Sequence, residues 1–285
     1  MNWLEITLEL PADKIESVNH LFFDIGSGVS IENPASAPSR AVVKGYLPDE
    51  AGADKKLSLL RHRVAAVLGP SARVRVAVVD DEDWLTYWRR SYKPFRVGER
   101  LVVRPPWEEY AALPGDVVID MEPGLAFGCG THPTTAACME LLERHVRDGQ
   151  RVFDVGTGTG ILAIVAAKLG AKEVWAVDND PIAVRVAREN VERNGVAGRV
   201  RVSEGHLLDA TRGKADVVTA NIVAEVVSFM APQVCFRLHK GGLFITGGIH
   251  HTKQRMVEEA FSHAGLRKLE ELRSGDWVAL AGVKE

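Results

Sequence analysis

The feature that most constrains this chain is a turn with three glycines in five residues, Gly156, Gly158 and Gly160. Residues 151–155 before it predict a short buried strand, and residues 161–169 after it predict a helix. A turn without side chains lets a ligand lie directly on the backbone. The next predicted strand ends at Asp178, whose carboxylate can accept hydrogen bonds from both hydroxyls of a ribose. The segment therefore predicts a site for a cofactor that contains adenosine.

Two cofactors match this pattern in different degrees. NAD requires G-x-G-x-x-G/A, and residues 158–163 satisfy that spacing. However, the match begins two residues late, after the additional Gly156, and Asp154 places a carboxylate where a pyrophosphate would be repelled. S-adenosylmethionine has no phosphate and carries a sulfonium and an ammonium, which a carboxylate attracts. The sequence favours S-adenosylmethionine.

Motifs on both sides of the turn resemble those of one family, the bacterial ribosomal protein L11 methyltransferases. The matching segments are residues 123–135 (PGLAFGCGTHPTT), Asn190 and Asn194, residues 220–223 (ANIV), and Trp84 and Trp88 followed by residues 93–95 (KPF). The resemblance covers nearly the whole chain. It departs at Cys129, Thr157, Thr159 and Gly247, where the family usually has other small residues. These departures concern fine geometry and leave the resemblance intact.

The resemblance implies a protein N-methyltransferase that uses S-adenosylmethionine. Its implied substrate is ribosomal protein L11, methylated at its α-amine and at lysines, up to trimethylation. The implied cofactor-binding residues are Thr131, Thr134, Thr135, Asp154, Gly156, Gly158, Gly160, Asp178 and Asn221. Phe127 is expected to cover the cofactor or the methyl-transfer channel on the substrate side.

Asn221 is the predicted catalytic residue. It follows the fourth strand of the predicted sheet, where amine-directed methyltransferases of this fold orient the acceptor nitrogen. Enzymes of this fold that flip a nucleobase have Pro-Pro and an aromatic residue after that position, and here Ile222 and Val223 follow instead. An aliphatic amine is therefore the favoured acceptor. His132, next to Pro133, is expected to cap a helix and not to act as a base.

Composition excludes several classes of protein. The formal net charge of −3 gives no global basic field that would attract nucleic acid. The three cysteines have no metal-ligand spacing, which favours a reducing cytoplasm and no disulfides. The adjacent pair His250 and His251 is interpreted as part of a loop, and no metal is expected. No signal peptide and no membrane-spanning apolar run is evident.

Periodicity divides the chain into two domains. Residues 1–80 follow a βαββαβ order and predict a small α+β domain of ferredoxin-like type, expected to recognise the substrate. RNA-binding RRM domains share this order, but the aromatic motif of their third strand is absent. Residues 101–285 alternate strands and helices and end in two strands, which predicts an α/β domain with the seven-stranded class I methyltransferase sheet.

Residues 81–100 are predicted to be a basic linker with a short helix. From residue 84 to residue 104 there are six basic side chains and one acidic one. This excess could face acidic protein or ribosomal RNA, or it could be a solvated surface. Two alternative functions also stay open: an RNA or small-molecule methyltransferase on the same fold, and a non-enzymatic ribosome-assembly module that binds S-adenosylmethionine.

Overall fold

The computed structural model forms two compact units, Met1–Ser91 and Tyr92–Glu285. It describes residues 2–23, 25, 29–32, 39–50, 52–70, 72–80, 92–122, 126 and 128–285. The short helix predicted near residues 84–92 falls almost entirely outside these residues. Within the described residues, no helix combines the length and the apolar character needed to cross a membrane.

The first unit has the predicted βαββαβ order. Its elements are β1 (Asn2–Pro11), α1 (Ile15–Phe23), β2 (Val29–Glu32), β3 (Arg40–Pro48), α2 (Ala53–Leu68) and β4 (Val74–Asp80). The four strands form one antiparallel sheet in the order β2-β3-β1-β4. This is the ferredoxin-like arrangement that the sequence predicted.

Alternation along β1 creates the core of this unit. Leu4, Ile6, Leu8 and Leu10 all lie on one face and are buried, because successive strand residues point to opposite sides of a sheet. The helices cover this face with side chains such as Phe22 and Leu60, both fully buried. The unit therefore has its own hydrophobic core.

The second unit contains a seven-stranded, mostly parallel sheet. Its strands are β8 (Arg151–Val155), β9 (Glu173–Asp178), β10 (Val200–Glu204), β11 (Ala215–Asn221), β12 (Leu238–His250), β13 (Leu266–Ser274) and β14 (Trp277–Lys284). They lie in the order β10-β9-β8-β11-β12-β14-β13. Only β14 breaks the parallel run, pairing antiparallel with β12 and β13. The predicted class I methyltransferase fold is confirmed.

Among its described residues, this unit has five α-helices: α3 (Pro133–His145), α4 (Ile161–Lys168), α5 (Pro181–Arg193), α6 (Ala224–Arg237) and α7 (Gln254–Ala264). Each of α4, α5, α6 and α7 follows the carboxyl end of one sheet strand. The carboxyl ends of β8, β9, β11 and β12 therefore meet at one edge, where open α/β sheets bind ligands.

A small three-stranded sheet precedes this core and was not predicted. It consists of β5 (Phe95–Val97), β6 (Leu101–Arg104) and β7 (Val117–Asp120). Residues 95–97, which the sequence analysis assigned to the linker, thus pair within the second unit. The end of β7 is held by Asn194, which accepts from the N–H of Asp120 at 2.9 Å and donates to its carbonyl at 2.7 Å.

Candidate active site

The glycine turn after β8 has the backbone conformation that its sequence predicts. Gly156, Gly158 and Gly160 have φ values of +69°, +54° and +85°, in the left-handed region that side chains disfavour. A Cβ at Gly156 would lie 2.5 Å from Cγ2 of Ile222. The turn therefore tolerates no side chain at Gly156 while the loop after β11 stays where it is.

Asp178 supports this turn directly. Its Oδ2 accepts a hydrogen bond from the N–H of Gly158 at 2.8 Å, and its Oδ1 accepts from the N–H of Asp180 at 3.0 Å. A carboxylate offers about four acceptor positions, so two remain for the ribose hydroxyls that the sequence analysis expected there. Asp178 can thus hold the turn and a ligand at the same time.

Asp154 is a fully buried carboxyl group at the end of β8. Thr157 donates to its Oδ2 at 2.5 Å, while Oδ1 is buried and has no partner of normal geometry in the described ranges. Burial raises the pKa of Asp154 to about 7, although hydrogen bonds from Thr157 and the backbone of Ala163 act in the opposite direction. The nearby charge of Asp178 adds to the rise.

The predicted threonines lie at the start of α3, where two of them are buried and one is exposed. Thr134 and Thr135 are buried in its first turn, whereas Thr131 is exposed, with its Oγ1 3.2 Å from Sγ of Cys129. His132 is the N-cap of this helix and accepts from the N–H of Thr134 at 3.2 Å. The capping role expected for His132 is confirmed. Phe127 lies outside the described residues.

Asn221 and Thr135 are brought together at the end of β11. Nδ2 of Asn221 donates to Oγ1 of Thr135 at 3.0 Å, and Oδ1 of Asn221 is buried without a partner among the described residues. Gly247 lies opposite Asn221 in the β11–β12 ladder. A Cβ there would lie 2.9 Å from Oδ1 of Asn221 and 2.7 Å from Sγ of Cys138.

Sequence reasoning noted Gly247 only as a departure from the family pattern, without a role, and it missed Thr219. Thr219 pairs with Asp154 across the β8–β11 ladder, and its buried Oγ1 also has no partner in the described part of the chain. Thr219 and Asn221 are two residues apart on one strand and so share a face with Asp154. Two adjacent glycines, Gly247 and Gly248, interrupt the apolar run of β12 and were the available sequence signal. Nothing in the sequence singled out Thr219.

Hydrogen bonds that sequence reasoning did not predict join the two glycine-rich segments. The hydroxyl of Thr159 donates to the carbonyl of Gly128 at 2.5 Å, and Nδ2 of Asn190 donates to the carbonyl of Thr159 at 3.0 Å. The loop before α3 and the turn after β8 are therefore linked through one buried threonine. Sequence reasoning had noted Asn190 without assigning it a role.

Comparison with known proteins agrees with this geometry. The family model described as Ribosomal protein L11 methyltransferase (PrmA) matches residues 2–285. The chain belongs to this family. A protein named ribosomal protein L11 methyltransferase from Pelotomaculum thermopropionicum is 47% identical over 99% of this chain and 98% of its own length. One from Desulforamulus reducens is 42% identical over the full length of both chains.

A solved structure gives the same result for the fold. The crystal structure of ribosomal protein L11 methylase from Lactobacillus delbrueckii subsp. bulgaricus is 33% identical and has a TM-score of 0.61. The match covers 68% of this chain and 99% of that chain. The resemblance found in the sequence is thus confirmed for the family and for the fold. The roles of individual site residues stay predictions.

Asp154→Asn is expected to flatten the pH dependence of stability between about pH 4 and 7. The folded carboxyl, with its pKa of about 7, holds a proton in this range, whereas an unfolded aspartate, with a pKa of about 3.9, has lost it. Stability contributed by this group is thus present at low pH and falls as pH rises, by roughly 1.4 kcal/mol per pH unit.

The measurement is urea denaturation of the full chain at several pH values. Asp209→Asn, at an exposed position, is the matched control and should leave the wild-type slope unchanged. If Asp154→Asn keeps the full wild-type slope between pH 5 and 7, the buried carboxyl does not hold its proton as described.

Proposed function

We propose that this chain transfers methyl groups from S-adenosylmethionine to amines of ribosomal protein L11, at the α-amine and at lysine side chains, up to trimethylation. Family membership supports the reaction type, and the names of the relatives support the substrate. The observation that carries the proposal is the convergence of the glycine turn, Asp178 and the Asn221–Thr135 pair at the carboxyl ends of three neighbouring strands.

The residues at this edge suit S-adenosylmethionine better than a dinucleotide. The left-handed turn leaves backbone uncovered at Gly158, and Asp178 keeps acceptor positions for ribose hydroxyls. The unsatisfied Oδ1 of Asp154 is an acceptor that favours a ligand with positive charge and N–H donors. A pyrophosphate near that carboxyl would meet repulsion once the group ionises.

The cofactor supplies a methyl group on a positively charged sulfur, so the protein has to position a nucleophile and exclude water. We assign this positioning to Asn221. Its Nδ2 is held by Thr135, which fixes the plane of the amide, and its Oδ1 has no partner among the residues that the structure describes. That oxygen can accept a hydrogen bond from an incoming amine that still carries an N–H, which aligns the lone pair of the amine with the methyl group.

The remaining parts of the proposal concern domains and partners. We assign substrate recognition to residues 1–80 and methyl transfer to the second unit, which begins at Tyr92 and so includes the end of the segment 81–100 that the sequence assigned to the linker. Contact between the basic side chains of this segment and ribosomal RNA is a prediction. The three free cysteines are consistent with action in the reducing cytoplasm.

The cofactor is tested by calorimetric titration of the full chain with S-adenosylmethionine and with NAD. Asp178→Ala removes charge-assisted hydrogen bonds worth roughly 1.5–3 kcal/mol each, so affinity for S-adenosylmethionine should fall by about tenfold to a hundredfold. Asp178→Asn keeps an acceptor for Gly158 and separates loss of charge from loss of the turn. Asp180→Asn, at the N-cap of α5, is the control. Tight binding of NAD to the wild type would refute the cofactor assignment.

Asn221→Ala is expected to reduce methyl transfer far more than cofactor affinity. Misplacement of a nucleophile costs on the order of a hundredfold in rate, whereas the cofactor keeps the turn and Asp178. Single-turnover labelling of L11 and calorimetry on the same preparation give the two quantities. Thr135→Val removes the partner of Nδ2 and should show a smaller effect of the same kind. Parallel loss of affinity and rate would make Asn221 a cofactor ligand and not a positioning residue.

Removal of the first unit is expected to separate cofactor binding from substrate recognition. A chain beginning at Tyr92 retains the second unit, which has its own core. It should bind S-adenosylmethionine with wild-type affinity and lose methylation of intact L11. Labelling of ribosomal proteins and RNA is analysed separately. Undiminished labelling of L11, site for site, would show that recognition resides in the second unit, and labelling of RNA alone would favour the alternative function.

A further inference from the structure

Two adjacent histidines and one aspartate meet beyond the active-site end of β12. His250 is the last residue of β12, His251 begins a short 3-10 turn, and Asp276 lies in the turn between β13 and β14. The N–H of His251 donates to the carbonyl of Asp276 at 2.8 Å, and His250 pairs with Trp277 in the β12–β14 ladder. The backbone therefore fixes the distance between the two segments.

The end of the strand places both imidazoles on the same side. Neighbouring residues within a strand point to opposite faces, and for that reason adjacent histidines rarely share a ligand. Here the strand ends at His250 and the chain turns at His251, so the ring centroids lie only 4.4 Å apart. Adjacency along the chain therefore does not prevent these two histidines from sharing a ligand.

The spacing of the ligand atoms suits a small divalent cation. One nitrogen or oxygen from each of the three residues lies within 4.8 Å of the other two. Nδ1 of His251 lies 3.4 Å from Oδ1 of Asp276, and the edge of a tetrahedron with Zn–N and Zn–O bonds of about 2.0–2.1 Å is about 3.3–3.4 Å. This Nδ1 is shielded from solvent and makes no hydrogen bond to any described residue.

Thr252 provides the outer support that a histidine ligand needs. Its Oγ1 lies 2.8 Å from Nδ1 of His250. A metal-binding imidazole usually donates its second N–H to an oxygen, which fixes the tautomer and the ring orientation. The backbone N–H of Thr252 also lies 3.4 Å from this Nδ1 and donates to it when the ring proton is on Nε2. Binding of a cation through Nε2 requires the other tautomer, in which Nδ1 donates to the hydroxyl of Thr252.

We propose that His250, His251 and Asp276 bind one Zn²⁺, with water in the fourth position. Two imidazoles and one carboxylate form a ligand set that zinc accepts, with the carboxylate supplying one of the two compensating negative charges. The bound cation ties the end of β12 to the β13–β14 turn. This site is separate from the proposed cofactor residues, so its test does not depend on methyl transfer.

The test is titration of the chelator-treated full-length protein with zinc chloride, followed by calorimetry and by metal analysis after dialysis. The wild type should bind one equivalent with saturation. Loss of an outer partner weakens metal sites by about 10- to 100-fold, so Thr252→Val should reduce affinity by about tenfold. His251→Ala and Asp276→Asn each remove a direct ligand and should reduce it further. The melting temperature should rise with zinc in the wild type and not in Asp276→Asn.

Matched controls distinguish this site from incidental binding. His263→Ala removes an exposed histidine of α7 and should leave affinity unchanged. Cobalt(II) replaces zinc as a spectroscopic probe, because a thiolate-to-metal band would reveal binding at the free cysteines instead. The proposal is overturned by binding that does not saturate, by equal affinity in wild type, His251→Ala and Asp276→Asn, or by a thiolate band. The proposal is supported if zinc raises the melting temperature of the wild type and leaves that of Asp276→Asn unchanged.

Discussion

The left-handed turn at residues 156–160 is the constraint on which the rest of the site depends. The N–H of Gly158 donates to Asp178 at the end of the neighbouring strand, so the turn is fixed to β9. On its other side, the missing side chain of Gly156 leaves room for Ile222 of the loop after β11. One glycine turn thus joins the ends of three adjacent strands, β9, β8 and β11.

Local patterns were sufficient to predict most of the fold. The strand predicted at residues 151–155 is β8 as found, and the helix predicted at residues 161–169 is α4, because a short apolar run followed by a glycine turn indicates a strand that leads into a helix. The sheet β5-β6-β7 was missed, since strands of three or four residues are too short to show alternation. The contact between His251 and Asp276 was missed for another reason. Asp276 lies 25 positions after His251 and meets it only through strand pairing.

The sequence identified several site residues one by one, but not how they act on each other. Thr135 and Asn221 were both predicted, yet their hydrogen bond joins residues far apart in the chain and follows from the packing of α3 against the sheet. The pKa of Asp154 was equally inaccessible, because burial is its largest cause and burial is a property of the folded chain. A motif indicates which residue types are present; the protonation state of a carboxyl depends on what covers it.

Within the described part of the chain, three buried side-chain oxygens on neighbouring strands of this sheet have no hydrogen-bond partner of normal geometry: Oδ1 of Asp154, Oγ1 of Thr219 and Oδ1 of Asn221. An unsatisfied buried polar atom costs about 1–3 kcal/mol, and folded proteins retain few of them. Asp154 and Thr219 are direct ladder partners, and Asn221 follows two residues later on the same face. Buried acceptor oxygens grouped in this way suit a ligand with N–H donors, because each oxygen would gain a hydrogen bond without losing another. Thr219, which no sequence motif singled out, lies on the same face as Asp154 and Asn221, so the packing of the sheet supports the same proposed site as the motifs do.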